Sequence, residues 1–592
     1  MAEYENLTLS VDVASFRLLE FDSSSDEASS DEEALINVTL ANYDSHDAPE
    51  YEALSYTWGS QHDGLAKIKL NGHLISVTNN LFEALKQLRL DRVKKGTSES
   101  KLWIDAICIN QGDDVEKSHQ VLLMRDIYAN ATRVLAWIGK PDSLSGLAFD
   151  TLTRFAAHDG TPNGSACQNI LDTAAEERRA AIKLLIERSY FERVWVIQEL
   201  VVAKIATIFC GSFSMAFDDF HLTVERMTGS GFYQLSTATT NITYLGDWRS
   251  HYLEIVTSGR REEREEILGW RLFVDSRDRK ATDLRDKIYS LSGIAYEELA
   301  AGIKVDYSHD NPVERVYTDF TKLVLNSRPN LRVLSAVIGP RRADSTLLLP
   351  SWVPDWSQPK YGGGILNRYL RFKPRSIFRA GGPGKPRVIV AEDSDTLCLE
   401  GVRLDIVNRV IPIKSILKAK DGRCVVTEAL LRELAAQLIS LENYPFTGEP
   451  CWIAFFRTLS ADRTALSPRI KEEYRAKFLV AFTDWKLNHG EMEQSLPAEA
   501  WTEVSKAIAT IIEDKDMLLT ERGYLGLSHE GFHIGDVVCV FTGGEVPFLL
   551  REGGASGNGT FQLLGECYIH GVMDGEVMQS PESKCMERFE IE

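Results

Sequence analysis

The first 140 residues alternate between short apolar runs and longer stretches with helical spacing. The apolar runs predict buried strands; they read FRLLEF, ALINVTL, YEALSYTWGS, KLWIDAICIN and RVLAWIG. Two intervening stretches, LFEALKQLRL and VEKSHQVLLMRDIYANA, repeat apolar residues at a period typical of amphipathic helices. Strands that alternate with helices indicate βαβ units, so the N-terminal fold class is predicted to be α/β with a parallel sheet.

In sheets of this kind, ligands bind beyond the carboxyl ends of the strands, where the strand order reverses. Three predicted strand ends supply polar or glycine residues there, at 57–59, 110–112 and 139–140. We expect Tyr56 and Trp58 to stack on a planar ring, and Gly59 to let a ligand approach the backbone.

After Cys210 the pattern changes to long helical stretches, then to strands. RVIVAEDSDTLCLEGVRLDIVNRVIPI and GDVVCVFTGGEVPFLLRE alternate apolar and polar residues, whereas AGGPGKP is typical of a linker. The predicted regions are an α/β domain (1–215), a helical middle region (216–360), a linker (361–386) and an α+β region (387–592). The last has a β-rich core from about 387–413 and 521–576 with helices between.

Composition narrows the function classes. The net charge of −20 disfavours nucleic acid and anionic lipid as main partners. Nine cysteines without a C-x-x-C pair favour reduced thiols and a cytoplasmic protein, and no metal-ligand spacing is found among the histidines. The start of the chain does not have the pattern of a signal peptide, and we expect no membrane-spanning helix.

The segment RSYFERVWVIQELVVAK (188–204) predicts one helix with an acidic residue, Glu199, in an otherwise apolar face. Trp195 and Glu199 are four residues apart and so share a face. Arg188 lies seven residues before Trp195 on a similar face, where it is placed to hold a phosphate or to pair with neighbours of Glu199. The alternative for Glu199 is a helix carboxylate paired with a nearby arginine or exposed to water.

A second acidic residue, Asp105, falls inside the apolar run KLWIDAICIN, which we interpret as a strand. An aspartate there either lines a site or caps a nearby helix or turn. The following loop contains Asn110, Gln111 and Asp113, and Glu116 lies in the next helix, where capping is the plain alternative.

Three stretches together resemble the heterokaryon incompatibility (HET) domain of filamentous fungi. They are YEALSYTWGS (51–60), LWIDAICINQGDDVEKSHQVLLMRDIYANATRVLAWIG (102–139) and RVWVIQELVVAK (193–204), and the resemblance covers roughly 14–212. It implies a role in self/non-self recognition, in which fusion of incompatible hyphae triggers death of the mixed cell.

The HET domain in turn looks like a distant relative of TIR domains, which are flavodoxin-like, and many of which cleave NAD. This resemblance implies that Glu199 is a catalytic residue, that Tyr56, Trp58, Gly59, Asp105, Arg188 and Trp195 bind substrate, and that Asn110, Gln111, Asp113 and Glu116 belong to a loop used in assembly. NAD is then a substrate and no cofactor is implied. A carboxylate beside the ribose stabilises the positive charge that develops as neutral nicotinamide leaves.

Two other functions stay open at this point. Cys108 with His119 as base is an alternative nucleophile, although a cysteine in an apolar run is usually inert. The other alternative is a non-enzymatic signalling module that forms a homo-oligomer on activation and recruits an unknown protein partner. Release of nicotinamide from NAD by the assembled protein distinguishes the enzyme from the adaptor.

Overall fold

The positions of most, though not all, residues are described by a computed structural model of the chain. It describes residues 4, 7–9, 14–22, 35–59, 64–95, 100–157, 175–229, 236–259, 269–327, 330–339, 346–359, 377–390, 395–413, 418–420, 423–425, 443–463, 508, 511–512, 514–554 and 557–592. The chain divides into two compact units, residues 1–312 and 313–592.

The described part of unit 1 is built on a mixed sheet of nine strands in the order β5-β4-β2-β1-β6-β3-β7-β8-β9. The strands are β1 (Ser15–Phe21), β2 (Asn37–Asp44), β3 (Tyr51–Tyr56), β4 (Leu65–Leu70), β5 (His73–Thr78), β6 (Lys101–Trp103), β7 (Arg133–Trp137), β8 (Ala206–Cys210) and β9 (Phe213–Ala216). The central strands β6, β3, β7 and β8 are parallel, which confirms the α/β class. Antiparallel pairs, including β1–β2 and β8–β9, extend the sheet on both sides.

Helices pack on this sheet and continue past it to the end of unit 1. They are α1 (Asn79–Lys95), α2 (Asp105–Cys108), α3 (Asp114–Asn130), α4 (Ser145–Ala157), α5 (Ala175–Ile186), α6 (Trp195–Val201), α7 (Phe217–Gly229), α8 (Thr237–Ser258), α9 (Trp270–Asp275), α10 (Asp286–Ser292) and α11 (Glu297–Gly302). The helical middle region expected from the sequence is therefore present, and its first part belongs to the same compact unit as the sheet.

Strand β3 is where the strand order reverses. The chain leaves β3, reaches β6 on one side of it, and then reaches β7 on the other side. All three strands are parallel, so their carboxyl ends meet at one edge of the sheet. The end of β3, at Tyr56 and Trp58, is thus the expected position for a ligand in an open α/β sheet.

Two predicted elements are wrong in their boundaries. KLWIDAICIN is not one strand: β6 ends at Trp103 and helix α2 begins at Asp105, whose carboxylate accepts from Ala106 N at 2.7 Å. The helix expected over 188–204 is also interrupted. A 3-10 turn, Ser189–Glu192, precedes the seven-residue α6, so Arg188 and Trp195 do not share a helix face.

Unit 2 is organised around a closed ring of strands in which β11, β14, β15, β18, β17 and β16 pair in succession and β16 pairs back to β11. Its strands are β10 (Val388–Val390), β11 (Leu397–Ile411), β12 (Lys418–Lys420), β13 (Arg423–Val425), β14 (Lys515–Thr520), β15 (Leu525–His529), β16 (Val537–Phe541), β17 (Phe548–Gly554), β18 (Gly557–Ile569) and β19 (Met586–Ile591). A barrel closes the edges that an open sheet would expose, and apolar side chains such as Val402, Leu549 and Ile569 fill its core.

The described helices of unit 2 have 15, 9 and 4 residues. They are α12 (Val313–Ser327), α13 (Cys451–Leu459) and α14 (Glu576–Gln579), with 3-10 turns at Arg332–Ala336 and Pro581–Lys584. Most of the predicted helices between the two barrel segments fall outside the described residues, as do residues 361–376 of the predicted linker.

The described part of that linker, residues 377–386, is hydrogen-bonded to the barrel. Ala380 N donates to Glu545 O and Gly381 N to Gly544 O. A Cβ on Gly381 would lie 1.9 Å from Phe541 O, so this glycine allows two backbones to approach closely. The four-part domain division itself stays a prediction.

Candidate functional site

The carboxylate of Glu199 lies inside the protein, with only 2% of the residue exposed. Helix α6 places it against β3, where the Ser55 hydroxyl donates a short hydrogen bond to Oε2. Ser55 Oγ is also 2.7 Å from the hydroxyl of Tyr190, which lies in the 3-10 turn before α6. Exposure to water was one alternative that the sequence left open for Glu199; the structure places this carboxylate in a buried polar cluster.

Burial controls the protonation of this carboxyl group. It raises the pKa of Glu199 from an ordinary 4.5 to about 7, although the positive charge of Arg193 and the Ser55 hydrogen bond oppose the rise. A glutamate with such a pKa exchanges its proton near neutral pH, which is the property required of a titrating site group.

Arg193 supplies the positive charge of the cluster. Its Nη1 donates a short hydrogen bond to the carbonyl of Tyr56. The carboxylates of Glu199 and Asp105 outweigh the cost of burial and keep the pKa of Arg193 above its ordinary value. One guanidinium therefore connects the two acidic residues that the sequence singled out.

Asp105 occupies the outer end of the cluster, at the start of α2. Its Oδ2 accepts a 2.7 Å hydrogen bond from Trp58 Nε1, and Tyr56 also hydrogen-bonds to it. Burial raises the pKa of Asp105, and burial likewise raises that of Tyr56. Because Trp58 is 39% exposed, the cluster meets solvent at this indole.

The turn after β3 has the backbone expected of a glycine. Gly59 has a φ of 78°, a left-handed conformation that favours this residue. Asn80 secures the same turn by donating to Thr57 O at 2.6 Å and accepting from Trp137 Nε1 at 2.9 Å. The turn is therefore held by neighbouring strands and α1.

Two predicted substrate residues are engaged elsewhere. Arg188 donates to Lys140 O at 2.7 Å and pairs with Asp142 at 2.9 Å. These contacts place its guanidinium against the segment that follows β7. Trp195 donates a side-chain hydrogen bond to Asp286 of α10.

The four loop residues are connected mainly to one another and to the fold. Asp113 caps α3 by accepting from Val115 N and Glu116 N, each at 3.0 Å. Glu116 accepts from Asn110 N at 2.7 Å, and Gln111 Nε2 donates to Asp105 O at 3.0 Å.

Glu116 also forms a two-pronged pair with the buried Arg17, at 2.6 and 2.8 Å. The same guanidinium donates to Cys108 O at 2.9 Å. The cap of α3 is thus Asp113, whereas Glu116, for which the sequence offered capping as the alternative, joins the loop to Arg17 of β1.

The alternative nucleophile is disfavoured by its surroundings. Cys108 is fully buried in α2, and burial raises the pKa of its thiol to about 12. The thiol therefore stays protonated near neutral pH and is a poor nucleophile.

Other classes of site were sought in the part of the chain that the structure describes. No group of three or more His, Cys, Asp or Glu side chains there is arranged to hold a metal ion. No helix among the described residues has the length and apolar character needed to cross a bilayer.

The residues that sequence reasoning missed are Ser55, Arg193 and Tyr190. Ser55 and Arg193 lie inside the motifs YEALSYTWGS and RVWVIQEL, beside residues that were selected. Their polar side chains within apolar runs were the available signal, because a buried polar group needs a partner.

Comparison with known proteins agrees with these motifs. A family model described as heterokaryon incompatibility protein (HET) matches residues 51–199, and a model of the Het-6 beta-barrel domain matches residues 484–586. Heterokaryon incompatibility protein 6, OR allele, of Neurospora crassa is 26% identical over an alignment that covers 90% of this chain and 91% of that protein. No solved structure matches the chain.

The first match begins at β3 and ends at Glu199, so it spans the strand and the helix that form the polar cluster. The second includes most of the strands of the barrel ring. Residues 51–199 of this chain therefore match the heterokaryon incompatibility (HET) domain family, and residues 484–586 match the Het-6 beta-barrel domain.

Proposed function

We propose that this protein acts in fungal heterokaryon incompatibility and triggers death of the fused cell. The observation that carries the proposal is the relation to Neurospora crassa heterokaryon incompatibility protein 6, which extends over nearly the full length of both chains. The HET domain is the effector in this proposal, and the later regions recognise a partner or restrain it.

Expression of the full chain in a filamentous fungus tests this function. Induced expression is expected to reduce the number of viable transformants by at least tenfold relative to an empty vector. A matched control carries Cys585→Ser at an exposed position and is expected to kill equally well. Full viability at high expression, with or without fusion to an incompatible strain, would contradict the proposal.

We propose cleavage of NAD at the nicotinamide–ribose bond as the chemistry of this effector. The supporting observation is the position of Glu199 at the carboxyl end of β3, where the strand order reverses, with Arg193 and Asp105 beside it. The C–N bond breaks with its electron pair leaving on nicotinamide, and water then adds to the ribosyl carbon and releases a proton. The ionised Glu199 stabilises the cationic ribose between these steps.

The burial of Glu199 sets a condition on this chemistry. Since only 2% of the residue is exposed, a sugar reaches it only after the side chains around it have moved. The proposal therefore requires a rearrangement on assembly, and the isolated chain is expected to have little activity.

Titration of Glu199 gives the reaction a pH signature. The ionised form is the active one, and its fraction rises as the pH passes the value of about 7. NAD cleavage by the assembled protein should therefore rise by at most about tenfold from pH 6 to pH 8, and by less to the extent that the rearrangement admits water to Glu199 and lowers its pKa. Released nicotinamide is measured by chromatography, and a rate that falls over this range would contradict the assigned role.

The second candidate is a non-enzymatic signalling module, and the observation that favours it is the same burial. Glu199→Gln separates the two functions: loss of both NAD cleavage and killing supports the enzyme. Unchanged killing in a folded Glu199→Gln variant supports the module.

A further inference from the structure

Side chains from beyond the matched HET region hold the helix that carries Glu199. The first is Asp286 of α10, which accepts hydrogen bonds from the indole of Trp195 and from the hydroxyl of Tyr307. Asp286 lies well past residue 199, where the family match ends.

The middle of α6 is held by Gln198, which is buried. One orientation of its side-chain amide gives both the nitrogen and the oxygen a hydrogen-bond partner. In that orientation the nitrogen donates to Ser290 O and the oxygen accepts from Arg125 N, each at 3.2 Å. Gly293 makes room for this contact, because a Cβ there would lie 2.6 Å from Gln198 Oε1. Helix α6 is thus joined to α10 and α3 at once.

The carboxyl end of α6 is held by Arg249 of α8. Its Nη1 donates to Leu200 O at 2.9 Å and also to Ala203 O. Asp218 orients the guanidinium through a 2.8 Å hydrogen bond. A cation at this end donates to carbonyl groups that have no partner within the helix, and it interacts favourably with the helix dipole.

The chain just before α6 is held by the segment that leads into α10. Val194 N donates to Lys280 O at 3.0 Å, and Arg279 Nη1 donates to Phe191 O at 2.9 Å. Lys287 of α10 donates to the carbonyl groups of Arg277 and Arg279, which fixes this segment in turn.

These contacts matter because α6 has seven residues and no side-chain cap at its start. A helix of this length is not stable by itself, so its position is set by what surrounds it. We propose that Asp286, acting through Trp195, is a positioning residue for Glu199. Residues 277–293 thereby complete the functional HET unit. The inference rests on the proposed function for the role of Glu199, but the contacts that hold α6 are independent of that role.

The test measures how Glu199 titrates in the full chain. The free energy of unfolding is determined from pH 5 to pH 8 in pairs of variants that carry Glu199 or Glu199→Gln, and the difference within each pair reports this carboxyl group. The titratable groups that interact with Glu199 are Arg193, Asp105 and the phenols of Tyr56, Tyr128 and Tyr190, and Arg279 acts on Tyr190. All of them are common to both members of a pair.

Asp286→Leu is expected to lower the midpoint of this titration by at least one pH unit, because a displaced α6 admits water to the carboxylate. Asp286→Asn keeps an acceptor for Trp195 and is expected to retain the original midpoint. Asp283→Asn is the matched control: Asp283 pairs with Arg285 at 2.8 Å in the same segment, and its loss should leave the midpoint unchanged.

A role through Trp195 predicts non-additivity. Trp195→Phe should reproduce the shift, and the double variant with Asp286→Leu should shift the midpoint no further than either single variant. Should Asp286→Leu fail to fold, Trp195→Phe provides the same measurement. An unchanged midpoint, or shifts that add in the double variant, would overturn the proposal.

Cell killing is scored in parallel. If the midpoint shifts as expected while the wild-type protein does not kill, the positioning role stands and the proposed function fails. If the wild-type protein kills but the midpoint is unchanged in Asp286→Leu, the reverse holds.

Discussion

The residue that decides most about this protein is Glu199. Burial of a carboxylate is costly unless it is paired and hydrogen-bonded. Here Ser55 provides a hydrogen bond and Arg193 a nearby positive charge, yet burial still dominates and brings the pKa of Glu199 to about 7. The protonated and ionised forms of Glu199 therefore have nearly equal free energies in the folded protein near neutral pH.

Protein stability should report this titration with a definite sign. The folded-state pKa of Glu199 lies above the ordinary 4.5 of an unfolded chain. The folded state therefore binds the proton more tightly, and stability is lost as the pH rises from about 4.5 through about 7. The loss is on the order of 3 kcal/mol, at about 1.4 kcal/mol for each pKa unit.

Urea unfolding at pH 5, 6, 7 and 8 checks this expectation. Glu199→Gln should flatten the pH dependence, since the amide does not titrate. A variant with the same slope as the wild-type protein would show that other groups cause it.

Ser55→Ala removes the hydroxyl that joins Glu199 to Tyr190. The expected cost is about 1–3 kcal/mol, because two buried polar groups lose a partner. Since the Ser55 hydrogen bond lowers the pKa of Glu199, that pKa should rise above its present value in the variant.

The matched control is Ser76→Ala, where an exposed hydroxyl accepts from Lys67 Nζ at 2.6 Å. Its effect on unfolding should stay within about 0.5 kcal/mol. Equal effects of the two substitutions would contradict a special role for Ser55.

At the scale of elements, helix α6 is defined by its neighbours. It has seven residues, which is about two helical turns. Helices α3, α8 and α10 supply its contacts. The close approach of α10 depends on the absence of a side chain at Gly293.

Gly293→Ala should therefore separate these helices. A Cβ would lie 2.6 Å from Gln198 Oε1 and 2.7 Å from Arg125 Cβ, and crowding of this kind costs about 1–3 kcal/mol. Thermal unfolding measures the loss, and hydrogen exchange should increase in α6.

Gly112→Ala serves as the control, because its Cβ would meet only Asn110 Oδ1 at 3.6 Å. Its expected effect is within about 0.5 kcal/mol. A neutral Gly293→Ala variant would show that α10 and α6 can move apart freely.

At the scale of the whole molecule, each compact unit contains its own buried polar network. In unit 2 it lies beside the barrel, where Glu449 contacts His570 and accepts a 2.8 Å hydrogen bond from Arg457 Nη1. Arg457 also pairs with Asp462 at 2.8 Å. Burial alone would raise the pKa of Glu449, but His570 and Arg457 together lower it to about 2.

Arg457→Met removes the guanidinium that pairs with both Glu449 and Asp462. Removal of one partner from a buried ion pair costs about 3–5 kcal/mol. Calorimetry should show the loss, and hydrogen exchange should assign it to the strands of the barrel.

Arg387→Met is the control, since the Arg387–Glu400 pair at 3.1 Å is largely exposed and such pairs contribute about 1 kcal/mol or less. Similar losses in the two variants would contradict the assignment. Because the pKa of Glu449 is lowered, the stabilisation by its network is present above about pH 4.5 and is lost as the pH falls towards 2.

The sequence by itself determined the α/β class and the motifs of the HET family. Strand β3, strand β7 and helix α3 were predicted from apolar periodicity, because these elements bury whole faces and local pattern follows burial. It also identified Glu199, Asp105, Tyr56 and Trp58, which the structure brings together through Arg193.

Only the tertiary structure decided what surrounds these residues. The apolar run through Asp105 gives no sign that β6 ends at Trp103, since a buried helix and a buried strand are alike in composition. Nor does sequence spacing show that Trp195 is bonded to Asp286, or that Glu199 is closed off by Ser55. Contacts between residues far apart in the chain depend on how elements pack, and burial, which sets the pKa of Glu199, exists only once they have packed.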